Sequence, residues 1–229
     1  MKLLLATLIF GTFATVLVHS AAHVTQVDLA CIADAHRCTS RFSGYKHVAS
    51  NIADITSHLL DQSFDFLILS MAFKQHDRNR PGFERLYRKI SDQAWSDALD
   101  TMQYQSKRGF PAILSGGYKY ATSDLRSVAD PSNATEHGSL QLAMEYEKLV
   151  TSVAHSIHRK MSGTHQQAYQ YDADVAHFLD EKLISGRSDT VRKLAGHIHI
   201  LEGILNAVSD EFTRDMGLQM FDQYLKTVE

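Results

Sequence analysis

Between residues 45 and 76 the apolar positions Val48, Ile52, Ile55, Leu59, Phe66, Leu69 and Phe73 recur in alternating steps of four and three, with Gln62 in the one missing slot. That repeat predicts a long helix packed at a shallow angle on its neighbours, its stripe about 45 Å long at 1.5 Å per residue. Asp77 to Gly82 reads as a turn, with Pro81 at a first helical position. A second stripe follows through Phe83, Tyr87, Ile90, Ala94, Asp97, Thr101 and Tyr104 and stops near Arg108-Gly109. Residues 109–136 lose the period, broken by Pro111, Gly116-Gly117 and Pro131-Ser132-Asn133. So long a connection predicts a crossover running the length of a bundle.

A third stripe covers residues 138–161 through Leu140, Ala143, Glu147, Val150, Ala154, Ile157 and Met161, closed by the turn Ser162-Gly163-Thr164. A fourth starts near Tyr171, takes in Val175, Leu179 and Lys182, weakens around Ser185-Gly186 and continues through Leu194, Ile198 and Leu201 to about Ala207. Gly217 to Thr227 is a last short amphipathic segment. The predicted fold is all-α: a four-helix bundle with one long crossover and a short fifth C-terminal helix.

Composition refines this picture at the N-terminus. Met1-Lys2, the sixteen uncharged residues Leu3 to Val18, and the small residues Ser20, Ala21 and Ala22 predict a signal peptide over residues 1–20, cleaved near 20–22. The run falls short of the ~20 apolar residues of a membrane span, so an uncleaved anchor is the lesser alternative. A secreted chain places Cys31 and Cys38, the two cysteines of the sequence, in an oxidising compartment. They are too few for a metal finger and free to pair with each other or with another chain. They sit in an N-terminal extension, residues 21–44, ahead of a domain spanning 45–229. Asn133-Ala134-Thr135 is an N-glycosylation acceptor. Without Lys2 the chain keeps 22 basic and 26 acidic residues, an acidity that argues against nucleic acid as a partner.

Each stripe is interrupted near its middle by a polar residue: Gln62 with Asp61 beside it, Asp97, Glu147 and Lys182. A charge in a packed core costs several kcal/mol unless it is paired or binds metal. Four interruptions, one per helix, predict a shared polar centre. Bundles that hold two irons place a Glu on each of two helices and a Glu-x-x-His on each of the others. Here Ala94-Trp95-Ser96-Asp97 stands where such a motif would be, and Lys182 adds a positive charge. The expectation is an ion pair between Lys182 and Glu147 within an internal salt-bridge network.

Several segments carry a family resemblance. Phe66-Leu67-Ile68-Leu69-Ser70-Met71 resembles the first helix of ferritins, and Met102 to Gly109 resembles the end of their second. Glu147-Lys148-Leu149-Val150 resembles the third helix, His177 to Lys182 the start of the fourth, and Gly217 to Phe221 the fifth. With the signal peptide, the chain resembles the light-chain side of the insect secreted ferritins, over roughly residues 45–229.

The resemblance implies a ferritin-like fold and locates the oxidising centre. Its first-helix glutamate falls on Asp61, its second-helix glutamate and histidine on Ala94 and Asp97, its third-helix glutamate on Glu147, its fourth-helix glutamine on Lys182 and its tyrosine on Ile68. Asp61, Asp97 and Glu147 are thus the remnant metal positions. Asp172 matches one acid of the family's three-fold channel, with Val175 at the other and Asp174 as a substitute. Asp92 and Asp100 lie on the face where light chains nucleate mineral. The implied function is iron storage by a non-enzymatic subunit, holding ferric mineral in a large shell together with a ferroxidase heavy-chain subunit, within the secretory pathway or outside the cell. The alternatives are an active ferroxidase with a rearranged site, and a secreted helical cytokine-like signalling protein.

Overall fold

The structure, a computed structural model, describes residues 38–111, 134–162, 171–207 and 210–229. The segment read as a signal peptide, Cys31, Asn133 and most of the long connection after α2 lie outside the described residues. Residues Arg41–Glu229 form one compact unit, and every regular element in it is helical. The long helices are α1 (Ala49–Lys74), α2 (Pro81–Lys107), α3 (Glu136–Ser162), α5 (Arg187–Ala207) and α6 (Glu211–Val228), with a short α4 (Ala173–Leu179) before α5.

Helices α1 and α2 run antiparallel. Near one end Thr56 donates to Thr101 Oγ1 at 3.0 Å, and further along Ser91 Oγ donates to the Ser63 carbonyl at 2.7 Å. These small buried side chains let the two backbones approach closely. Helix α3 lies parallel to α2: Tyr87 bonds Ser139 near their N-terminal ends, and Asp97 and Glu147 share a partner at mid-length. Lys107 and Glu136 therefore stand at opposite ends of the bundle, and the connection between them joins those ends, as the sequence predicts. Helix α5 returns antiparallel to α3, with Glu147 beside Arg187 and His137 beside Glu202.

The fourth long helix is not continuous. After α4 the chain makes a π-helical turn over Asp180–Ile184, Ser185 becomes extended, and Gly186 takes φ +84° before α5 begins. A π turn changes which residues face inward, and only glycine takes the left-handed conformation without strain. Leu183 is buried and Lys182 is turned outward. The expectation of Lys182 as an inward residue is corrected by this break.

Helix α6 starts six residues before the predicted fifth helix, at an Asp210 cap whose Oδ2 accepts from Thr213 N at 3.0 Å. It folds back onto the start of α2. There the buried Asp222 Oδ1 accepts from Gly82 N at 2.9 Å and Phe83 N at 3.1 Å, satisfying two donors that a helix start leaves open. Burial raises the Asp222 pKa despite these bonds. A Cβ on Gly82 would lie 2.0 Å from the Asp222 carbonyl oxygen. Gly82→Ala must push α6 away, and overpacking of this kind costs about 1–3 kcal/mol. The expected result is a fall of about 5–10 °C in the unfolding midpoint with faster proteolysis of the C-terminal helix. An unchanged midpoint would refute the close approach.

The apolar core has two halves. One gathers Phe66, Phe73, Phe83, Tyr87, Leu140 and Phe221; the other gathers Tyr45, Ile52, Leu59, Ile157, Leu179 and Leu183. Three of the polar interruptions of the stripes, Gln62, Asp97 and Glu147, are buried between them.

Candidate functional site

The residues of that middle layer converge on one guanidinium. Gln62 on α1 stands between Leu59 and Phe66, one in each half of the core. Its Nε2 donates to Glu147 Oε1 at 2.7 Å. Glu147 Oε2 accepts from Arg187 Nη1 at 2.6 Å, and Arg187 Nη2 donates to Asp97 Oδ2. Gln93, one turn before Asp97 on α2, donates to Asp97 Oδ1 at 2.8 Å. Both carboxylates thus accept at both oxygens, and α1, α2, α3 and α5 are joined through one chain of hydrogen bonds. Arg187, Asp97 and Glu147 are each at least nine-tenths buried.

Two carboxylates share one guanidinium, so the trio carries an excess negative charge. Burial raises the Asp97 pKa; Arg187 and Gln93 lower it, and Glu147 raises it again, with a net shift upward. The rigid fork of arginine suits this position, because its two ends reach carboxylates on different helices.

The sequence places Asp97 and Glu147 in this centre, and the structure brings them together. The cation is Arg187, not Lys182. Lys182 is about half exposed and faces Asp100 at 3.4 Å. Arg187 is the first residue of α5, and the Gly186 stop directly before it is the signal that separates the two. Asp61 is buried beside Gln62, yet the α1 side chain that reaches Glu147 is that of Gln62. Another buried α1 carboxylate, Asp65, accepts from Tyr146 Oη at 2.6 Å. Ala94 is buried and Ile68 is exposed, so neither brings a polar atom to the centre. Among the described residues no three His, Cys, Asp or Glu side chains converge to hold a metal ion. A guanidinium between the carboxylates is also a poor setting for a cation, so the donor set here does not fit a resident metal.

Asp172 has a structural role. It caps α4 through Val175 N at 3.3 Å and holds Arg108 Nη2 at 2.6 Å. Burial raises its pKa, but the hydrogen bonds from Arg108 and Val175 outweigh that and hold the carboxyl below its usual range. Asp174 holds Arg108 Nη1 at 2.8 Å, and Val175 is buried in the core. Both acids offered for a channel are therefore engaged by an arginine. On α2, Asp92 is paired with Arg88 at 3.1 Å and Asp100 with Lys182. No cysteine among the described residues is a free thiol, and no described helix is long and apolar enough to cross a membrane.

No family model matches the chain. It is 27% identical over 190 residues to the ferritin light chain of Drosophila melanogaster, covering 82% of this chain and 80% of that one. It is 28% identical over 196 residues to the ferritin light chain of Trichoplusia ni, covering 84% and 82%. A soma ferritin of Lymnaea stagnalis is 23% identical over 142 residues, covering 62% of this chain and 74% of that protein. Among solved structures, the secreted ferritin of Trichoplusia ni superposes with a TM-score of 0.66 at 25% identity, covering 84% of this chain and 90% of that chain.

Proposed function

From the premise that this chain is a ferritin-fold homologue of the insect secreted ferritin light chains, we propose that it is a non-catalytic iron-storage subunit of a secreted shell. It co-assembles with a ferroxidase heavy chain, which oxidises the iron that this subunit helps enclose. The observation that carries the reading is Arg187 between Asp97 and Glu147, where an oxidising subunit would need room for ferrous iron. A guanidinium repels that substrate and occupies the oxygens that would bind it.

The remaining acids support the same role. Asp92, Asp100, Asp172 and Asp174 each face a cation, which leaves little carboxylate to gather ferric ions. The subunit then contributes shell stability more than mineral nucleation. Secretion, glycosylation at Asn133 and a disulfide from Cys31 or Cys38 belong to this reading. They rest on the signal peptide, the acceptor triplet and the oxidising compartment. The rearranged-ferroxidase alternative needs Asp61, Asp97 and Glu147 to share metal, and Arg187 stands in its way. The cytokine alternative has no support in the relatives.

The chain purified alone should show no fast rise in ferric absorbance when mixed with ferrous iron and oxygen. Co-expressed with a heavy chain, it should elute in a particle of many hundreds of kilodaltons that stains for iron. A ferroxidase rate equal to that of a heavy chain would overturn the non-catalytic reading. Elution as a small protein under both conditions would overturn the shell.

A further inference from the structure

The outward face of α1 reads nearly alike from either end. Phe64 stands at its middle. Leu60 and Ile68 lie four residues to either side, Ser57 and Met71 seven, and Asp54 and Lys74 ten. Successive members are three or four residues apart, which keeps them on one side of a helix. Phe64 is 54% exposed, Ile68 and Met71 are exposed as well, and Leu60 is partly covered. A continuous row of large apolar side chains in water marks a contact surface.

Helix α2 extends the patch. Ser91 lies against Ser63 and Thr101 against Thr56, an antiparallel register that puts Trp95 about level with Leu60 and Leu99 about level with Ser57. Both Trp95 and Leu99 are exposed. The outer face of α3, by contrast, is polar, with Gln141, Glu145, Lys148, Ser152 and His155 exposed.

We propose that the α1–α2 face pairs with the same face of a second copy of this chain, across a two-fold axis at Phe64. The two α1 helices then run antiparallel. Phe64 meets its own counterpart, Leu60 meets Ile68, the small Ser57 faces the large Met71, and Asp54 meets Lys74 at both ends. A two-fold contact requires this self-complementarity. The opposite charges at equal distances from Phe64, about 15 Å along the helix, select a second copy over an unrelated apolar partner. Lys74 already holds Glu84 at 2.7 Å, and an ammonium has further donors for Asp54 of the second copy. The same axis passes α2 beside Ser91 and Asp92, so Trp95 of one copy comes level with Arg88 of the other, a pairing suited to a cation–π contact. The inference does not depend on the iron-storage reading.

Cross-linking of the full iron-free chain tests it. Under mild oxidation Phe64→Cys should give pairs of chains joined through position 64, because facing helices about 8–10 Å apart bring such residues within disulfide reach. Ser152→Cys, on the polar face of α3, should give no pairs joined through position 152. Asp54→Lys and Lys74→Asp, each added to the Phe64→Cys chain, should each cut the linked fraction about tenfold, as like charges then face each other. Co-expressing the two charge variants should restore linkage, since opposite charges meet again at both ends. All of these side chains lie at the surface, so the unfolding midpoints should stay level. Absence of linkage through position 64, or linkage indifferent to both charge reversals, overturns the pairing. Loss without recovery on co-expression overturns the two-fold register. A shell that assembles with a heavy chain while position 64 stays unlinked overturns this pairing and leaves the iron-storage reading intact.

Discussion

Replacing Arg187 with methionine is expected to destabilise the chain by about 3–5 kcal/mol, a loss of roughly 6–20 °C in the unfolding midpoint. The chain of causes is short. Arg187 is the one cation hydrogen-bonded to both Asp97 and Glu147, and all three side chains are at most 9% exposed. Methionine matches much of the volume, so packing changes little, but two carboxylates then remain buried with only Gln93 and Gln62 as donors. The deficit must depend on pH, and its sign follows from Asp97. Burial already raises the folded pKa of Asp97 above its unfolded value, so its ionised form costs stability above that range and the cost disappears as protons bind. Removing Arg187, which lowers the Asp97 pKa against burial, raises that pKa further. The gap between the two proteins should therefore be widest near pH 7.5 and shrink markedly by pH 5. Thermal unfolding at the two pH values checks this, and an equal gap at both would show that lost packing, not stranded charge, is the cause.

Arg108→Ala is expected to cost about as much, roughly 3–4 kcal/mol, at the opposite end of the bundle. Arg108 caps α2, donates to Asp172 at 2.6 Å and to Asp174 at 2.8 Å, and donates to the Phe42 carbonyl at 3.1 Å. Its guanidinium also lies 4.1 Å from the Phe42 ring centroid and 5.0 Å from that of Tyr45, a cation–π arrangement. One side chain thus ties the segment before α1, the end of α2 and the start of α4. Asp172 sets the pH dependence, with the opposite sign to Asp97. Its folded pKa lies below the unfolded value of about 3.9. The pair's contribution is present in full above that value and is lost as pH falls through the folded pKa. Urea unfolding should show wild type and Arg108→Ala converging below about pH 4, while Asp172→Asn should be less stable than wild type at pH 7 and nearly level with it in strong acid. A constant difference across that window would refute the coupling to Asp172.

How much of this could be read beforehand depends on the distance over which the information acts. The stripes through Val48–Phe73 and Phe83–Tyr104 mark α1 and α2 because helix periodicity is local. Pro81 and Gly109 mark boundaries for the same reason. Gln62, Asp97 and Glu147 could be singled out because each breaks an apolar stripe at a middle position, and the structure seats them in one layer. Arg187 could not be found by extending the period. The π turn at Asp180–Ile184 and the positive φ of Gly186 shift the phase, so counting from Leu179 turns Lys182 inward when Leu183 takes that place. The early start of α6 was hidden because Phe212 and Met216 are exposed and form no buried stripe.

The sequence by itself determined four long helical stripes, the long connection between the second and third and the presence of charge at the centre. Each is written in neighbouring residues or in a repeat of three and four. Only the tertiary structure decided which cation meets Asp97 and Glu147, that Asp172 serves Arg108, and that Asp222 caps α2 across Gly82. These pairings join residues 40 to 140 positions apart, and a buried charge accepts whichever partner the packed helices bring within hydrogen-bonding distance. The salt-bridge network expected between Lys182 and Glu147 is found with its cation moved five residues, from Lys182 to Arg187.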